Sequence, residues 1–321
     1  MKKTFSILAL LALLMHQSLA AAYPDTHKRI RFVVGFPAGS TIDNVSRLIL
    51  DDISARTGVV IVVDNKSGAL GSIGAGEVAR SQPDGYTLMP SSSATHSSGP
   101  FLSKAFQQYA AVDDFTQIAR VVRFDVAVAT SADSAYKDAK SLLKAAEKKP
   151  GAINSGYGSG TGRVAAAAFS RAAGIEVQAI PYKGQPAAII DLIGGRIDFV
   201  AADIGALVSQ IKAGKLNAVA LMAPKRSTIL PDVPTMEELG IKGVDLIAWI
   251  GIAGPAKLPQ DVVDWWQTQL RETIGSAKIQ DQLRTLGMEP DLSTGTDFRK
   301  FVQTQYTAWG EQTRHAGIEP E

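Results

Sequence analysis

Arg31-Phe-Val-Val-Gly-Phe36, then Pro37-Ala-Gly-Ser-Thr41, then residues 42–56 form the stretch on which the fold turns. The first six residues read as a strand and the next five as a tight loop of small residues. Residues 42–56 place Val45, Leu48, Ile49 and Ile53 at helical spacing, one apolar face on a polar background. A strand that feeds a helix through a short loop is the repeating unit of α/β proteins.

Working outward, the unit recurs. Residues 59–63 read as a second buried strand. The Gly-rich stretch 68–76 opens a short helix through Val78, and Tyr86–Met89 is a third strand. The middle of the chain repeats the theme, with strands at 126–129, 152–155, 177–180, 198–202 and 216–222. Helices are expected between them at 139–148, from the Gly-rich loop 156–162 to about 173, at 185–193 and at 204–213. The apolar stretch 244–253 reads as a return to the first lobe, and helices are expected at 261–274, 278–286 and 296–316. The expected fold is α/β, with largely parallel sheets in two lobes and a ligand cleft between them. Lobe 1 comprises residues 23–124 and 247–321, and lobe 2 comprises residues 125–246.

The first residues differ in kind. Lys2 and Lys3 precede an apolar run from Phe5 to Met15, and Ala20, Ala21 and Ala22 follow. That order is a secretory signal peptide over residues 1–22, cut after Ala20 or Ala22, which implies export to the periplasm. As a helix the run would be roughly 16 Å long, too short for a hydrocarbon core of about 30 Å. Cleavage removes two of the 33 basic residues and none of the 31 acids, leaving a mature chain of neutral formal charge. With no basic run and no later apolar span, the composition argues against nucleic acid as a partner and against membrane spanning. The absence of cysteine excludes disulfides, thiolate catalysis and thiolate metal sites.

Two loops could carry chemistry, and they share one design. Phe36-Pro-Ala-Gly-Ser-Thr-Ile-Asp43 and Ser155-Gly-Tyr-Gly-Ser-Gly-Thr-Gly-Arg163 each follow a strand and open a helix. A helix start offers unsatisfied N–H groups and a positive dipole end, and glycine lets an anion approach the backbone. Ser40, Thr41, Ser159 and Thr161 add neutral hydroxyls. A carboxylate clamp and a purely steric use of glycine both fit this pattern.

Enzyme readings find less support. The mature chain has three histidines, His27, His96 and His315, isolated in sequence and without metal-ligand spacing. Gly158-Ser-Gly160 fails the nucleophile elbow because Tyr157 occupies the first glycine position. Gly74-Ala-Gly-Glu-Val-Ala79 matches a dinucleotide fingerprint as a string but stands too far from its strand. Trp265-Trp266 lies in an amphipathic helix and reads as core. No catalytic residue, metal or cofactor is expected. Two alternatives remain: a periplasmic hydrolase using a serine of the second loop, and a sensor component that presents its ligand to a membrane receptor.

Motifs spread over the mature chain resemble the substrate-binding proteins of tripartite tricarboxylate transporters, the Bug family. They are Phe36-Pro-Ala-Gly39 with Asp43 and Arg47, Asp64-Asn65 with Gly68-Ala-Leu-Gly71, and Pro83-Asp-Gly-Tyr-Thr-Leu88. Pro181-Tyr-Lys-Gly184, Asp191-Leu-Ile-Gly-Gly195, Pro231-Asp-Val-Pro-Thr235 with Glu238 and Gly240, and Trp249 with Gly254-Pro255 follow in order. The resemblance implies a periplasmic binding protein type II-like fold and a non-catalytic receptor. Such a receptor captures a small organic carboxylate by closure and passes it to one large and one small integral membrane subunit.

The resemblance also implies ligand-binding positions at Phe36, Pro37, Ala38, Gly39, Ser40, Thr41 and Asp43, and at Gly158, Ser159, Gly160 and Thr161. Asp203 corresponds to a distal-pocket position that a helix cap would serve equally, and His96 and Ser98 fall near the cleft. For Asp43, bracing the loop is the expected role, since like charges repel. Two departures stand out: Ser40 replaces a common second glycine, and Arg163 replaces a common histidine. Arg163 reads either as a partner for a distal carboxylate or as an outward-facing cation.

Overall fold

The computed structural model describes residues 23–223, 225–244 and 247–320; the expected signal peptide, residues 1–22, lies outside the described residues. Strand β1 (Ile30–Val34) runs through a short loop into helix α1 (Thr41–Thr57). The helix begins where extended Ser40 accepts the Asp43 amide on its hydroxyl at 3.3 Å, satisfying one of the orphan first-turn donors. It ends at Gly58, whose φ of 73° is the left-handed conformation that glycine takes without strain. Between the caps Val45, Ile49, Leu50 and Ile53 turn inward. Burying each such side chain contributes about 1.5–3 kcal/mol.

Strands β2 (Ile61–Asn65) and β3 (Thr87–Ser92) flank β1, both parallel to it, and α2 (Ser72–Ala79) connects them. The expected second strand is shifted and is not buried. It forms the outer edge of the sheet, paired only with β1, so Val60 and Val62 stay 48% and 43% exposed.

The long strand β4 (Phe115–Ser131) organises the rest. Up to Asp125 it pairs with β9 (Ile247–Pro255), and β10 (Glu289–Thr294) also pairs with this part. From Val126 it pairs with β7 (Phe199–Asp203) and β8 (Leu216–Leu221). Beyond β7 lie β5 (Ile153–Tyr157) and β6 (Val177–Pro181), parallel to one another. The path through the ten-stranded sheet is β2-β1-β3-β9-β4-β7-β5-β6. Parallel strands therefore occupy the two ends, as expected. The middle is antiparallel, because strands that leave one lobe and return to it must run in opposite directions.

Helices α3 (Ala139–Lys148), α4 (Gly160–Ala172), α5 (Gln185–Ile193) and α6 (Ile204–Lys212) belong to the second α/β lobe. Helices α7 (Gln260–Gly275), α8 (Ala277–Thr285) and α9 (Gly295–His315) follow β9. Trp249, Trp266 and Trp309 are fully buried, and Trp266 Nε1 donates to the Tyr23 hydroxyl at 2.7 Å. The Trp265-Trp266 pair thus packs in the fold. Among the described residues no helix is long and apolar enough to cross a membrane.

Candidate functional site

The first loop, residues 36–40, is braced from beneath by Asp43. Its carboxylate accepts the Gly39 amide at 2.9 Å, the Asn65 side-chain amide at 2.9 Å and Arg47 Nε at 3.0 Å. Asn65 also donates to the Phe36 carbonyl at 3.0 Å, tying the end of β2 to the loop. Burial alone would raise the Asp43 carboxyl, but the donors from Arg47, Asn65 and Gly39 outweigh it and hold the pKa below the usual range. Asp43 spends its acceptors on the loop's shape. Gly39, at φ 80°, makes the turn that aims its own N–H at this carboxylate. The amides of Thr41 and Ile42, in the first turn of α1, have no acceptor among the described residues, as a helix start requires.

At the second loop Ser159 caps α4 by accepting the Gly162 amide at 3.1 Å, and Gly158 donates its amide to Gln185 Oε1 at 3.2 Å. Glycine at 158 is obligatory for space: an added Cβ would lie 2.1 Å from the Gly184 carbonyl carbon and 2.3 Å from Gln185 N. Gly160 faces the first lobe, where a Cβ would meet Ser98 Oγ at 2.9 Å, and the hydroxyls of Thr161 and Ser93 share a hydrogen bond at 3.3 Å. The amides of Gly160 and Thr161 again have no acceptor among the described residues.

These loops meet across a common cleft of about 520 Å³. Gly35–Pro37 and Ser67–Gly71 wall it on one side; Gly158, Tyr182 and Lys183 wall it on the other. A second cavity of about 300 Å³ is lined by Gly39, Ser40 and Thr41 together with Gln185, Ile189 and Gly205. Where the chain passes from one cavity to the next, Pro37 comes against Gly184, whose added Cβ would lie 3.1 Å from Pro37 Cγ. The Thr41 hydroxyl donates to the Asp203 carboxylate, a further contact between lobes. Burial pushes the Asp203 carboxyl up, against the opposing effect of the Thr41 donor.

Of the residues expected at the site, Phe36, Pro37 and Gly158 line the larger cavity, and Gly39, Ser40 and Thr41 line the smaller one. Ala38 is exposed beside them. Ser159, Gly160 and Thr161 form the helix start behind Gly158, turned toward residues 93–98. Arg163 lines neither cavity; its guanidinium lies over the Tyr157 ring at 5.6 Å from the centroid. His96 is also away from both. It is fully buried, its Nδ1 shares a hydrogen bond with Thr95 Oγ1 at 2.8 Å, and its ring packs edge-on against Phe115 at 4.7 Å. Desolvation lowers its pKa from 6.5 to about 3, so the imidazole is neutral.

The reading of site residues omitted two walls of the cleft. Ser67–Gly71 and Tyr182-Lys183 both sit in motifs that carried the family resemblance, and that was the available signal. In the first of these, Ala69 and Leu70 adopt φ of 44° and 57°, a left-handed conformation costing about 1–2 kcal/mol per residue outside glycine. Packing against the first loop maintains it, since Gly71 lies against both Gly35 and Phe36.

Two α/β lobes that share a cleft, walled in part by the loops that lead into two helix starts, define a solute-binding receptor. The chain belongs to the tripartite tricarboxylate transporter family receptors, whose pattern it matches over residues 45–318. It is 28% identical over 305 residues to Protein BugT of Bordetella pertussis, covering 93% of this chain and 91% of that protein. The structure of the periplasmic binding protein BugD superposes with a TM-score of 0.84 at 30% identity, over 91% of this chain and 99% of that one. The R. palustris protein Rpa4515, solved with adipate, gives a TM-score of 0.88 at 28% identity, over 92% and 100% of the two chains. These likenesses agree with the two-lobed type II-like fold expected from sequence.

Proposed function

We propose that the mature chain is a periplasmic receptor that captures a small organic carboxylate between its lobes and delivers it to the large and small membrane subunits of a transporter. The observation that carries this reading is the shared cleft: residues 36–37 and Gly158 face one cavity beside two helix starts whose first amides have no acceptor among the described residues. Such amides stabilise a carboxylate by about 1.5–3 kcal/mol per hydrogen bond. Lobe 1 is residues 23–124 and 247–321 and lobe 2 is residues 125–246, with β4 crossing from the first to the second and β9 opening the return to lobe 1. Residues 36–41 and 158–161 hold the ligand carboxylate, Asp43 fixes the first loop, and Asp203 joins the lobes through Thr41. The adipate in Rpa4515 supports a carboxylate as the ligand class.

A pair of variants isolates the decisive amide. Thr41→Val removes the hydroxyl and keeps the N–H; Thr41→Pro removes both. Proline suits the first helical position, and Ser40 at ψ 159° already has the extended backbone that must precede it. In calorimetry against a panel of carboxylates, Thr41→Pro is expected to bind about tenfold or more weakly than Thr41→Val. Equal affinity for the two variants would remove the helix start from the site. Uptake of the identified ligand by cells lacking this chain, with the membrane subunits intact, tests delivery: unchanged uptake would overturn it.

A further inference from the structure

The smaller cavity, of about 300 Å³, is lined by both lobes. Gly39, Ser40 and Thr41, the entry to α1, stand on its first-lobe side, and Gln185, the first residue of α5, stands on its second-lobe side. Among the described residues no ionisable side chain lines it, and Ile189 and Ile193 give it apolar walls. Gln185 is only 7% exposed, and the two ends of its carboxamide differ in state. Oε1 accepts the Gly158 amide at 3.2 Å. An N–H can donate to the oxygen alone, so this bond fixes which way the carboxamide is turned. Nε2 is buried and has no partner among the described residues. A buried donor left unpaired costs about 1–3 kcal/mol. The amides of Thr41 and Ile42, in the first turn of α1, lack an acceptor as well. One cavity thus has unpaired donors on both lobes and no charge of its own.

We infer that Gln185 is a ligand-binding residue, its Nε2–H donating to a carboxylate seated at the start of α1 in the smaller cavity. The inference rests on the carboxylate-receptor reading and adds to it a donor from the second lobe. Amides of the first lobe and a carboxamide of the second then share one anion, so the ligand itself ties the lobes together. Through Oε1 the same side chain holds Gly158, which lines the larger cavity, so capture in one cavity steadies the wall of the other. The apolar walls exclude water and strengthen each of these bonds. A charge-assisted hydrogen bond from Nε2 corresponds to about tenfold to hundredfold in affinity. A Gln185 that served only to hold Gly158 would need its oxygen and nothing else, which makes the two roles separable.

The test is calorimetric titration of the mature protein with acetate, butyrate, benzoate, succinate and adipate, repeated on two variants with each carboxylate that binds. Gln185→Glu keeps an acceptor for the Gly158 amide and removes the donor; Gln185→Met removes both. Each variant is expected to bind about tenfold or more weakly than wild type. Hydrogen exchange at the Gly158 amide should keep its wild-type rate in Gln185→Glu and quicken in Gln185→Met. In wild type the NMR signal of the Gln185 side-chain NH2, assigned by its absence from Gln185→Glu, should shift on saturation with the bound carboxylate. Wild-type affinity in either variant, a loss confined to Gln185→Met, or an NH2 signal that does not respond to the carboxylate would overturn the inference and leave the carboxylate receptor standing. Failure of every carboxylate to bind would overturn both.

Discussion

Acidification offers a sharp test of how His96 is held. The imidazole is fully buried, one ring nitrogen is engaged by Thr95, and the other has no partner among the described residues. Its folded-state pKa of about 3 lies below the ordinary value of 6.5. Between those values the unfolded chain binds a proton that the folded chain refuses, so stability contributed at neutral pH is lost as the pH falls. Each pH unit in that window withdraws up to about 1.4 kcal/mol, less near pH 6.5 where the unfolded imidazole is only half protonated, so a drop from pH 6.5 to pH 4.5 costs about 2.3 kcal/mol from this residue. Urea unfolding of wild type and His96→Gln at the two pH values isolates the effect, because the titrating carboxylates are common to both proteins. Wild type is expected to lose about 2–3 kcal/mol more than the variant over this interval. Equal losses would refute the argument. So would an imidazole NMR titration in which His96 protonates near the ordinary value of 6.5.

Three substitutions probe the cleft. Gly158→Ala forces a Cβ onto the backbone of Gly184 and Gln185, which cannot yield as a flexible side chain would; a loss of about 1–3 kcal/mol in chemical denaturation and a weakened ligand affinity are expected. Asp43→Asn withdraws the charge that holds Arg47 and the first loop, and should cost about 1–2 kcal/mol at pH 7, a figure kept low by the partial exposure of Arg47. Because the Asp43 pKa is depressed in the fold, this difference should be full above the ordinary carboxylate range and vanish as the pH falls through the folded value, which urea midpoints at pH 7 and pH 2 will read. Leu70→Asn places a residue tolerant of left-handed backbone at φ 57°, so stability should stay within about 1 kcal/mol of wild type while affinity for an apolar-bodied carboxylate falls.

Helix α1 was legible to within a residue at each end because its periodicity is written locally, whereas α4 begins at Gly160, inside the expected loop 156–162, where Ser159 caps it. Residues 115–125 of β4 were not legible, since Arg120, Arg123 and Asp125 break the apolar pattern. In the fold Arg120 pairs with Asp291 of β10 and covers the Phe301 ring, so its polarity is absorbed by an element distant in sequence. Strand β10 was missed for the same reason. The two Gly-rich loops announced themselves through composition. Their opposite walls, Leu70 and Tyr182-Lys183, depend on how Gly35 meets Gly71 and how Gly158 meets Gly184, close approaches that no local pattern encodes. His96, among the small polar residues 91–98, was expected near the cleft. Instead the turn that carries it is buried and packs against α9, so a stretch polar in sequence became interior.

The proposed anion site is flanked by Asp43 and Asp203, which raises the question of why two acids would not repel the ligand. The fold answers differently for each. Asp43 keeps its charge, and Arg47, Asn65 and the Gly39 amide occupy its oxygens, so its field is cancelled at close range and its bonds stiffen the loop. Asp203 is pushed the other way: burial raises its pKa toward the neutral form, and the Thr41 hydroxyl is turned onto it from the opposite lobe. Thr41 thereby has its hydroxyl spent on joining the lobes while its amide stays available at the helix start. On the proposed reading one residue divides its labour, side chain for closure and backbone for the ligand, so Thr41→Val and Thr41→Pro should separate the two functions. Loss of the hydroxyl weakens the contact between lobes; loss of the amide weakens the grip on the carboxylate itself.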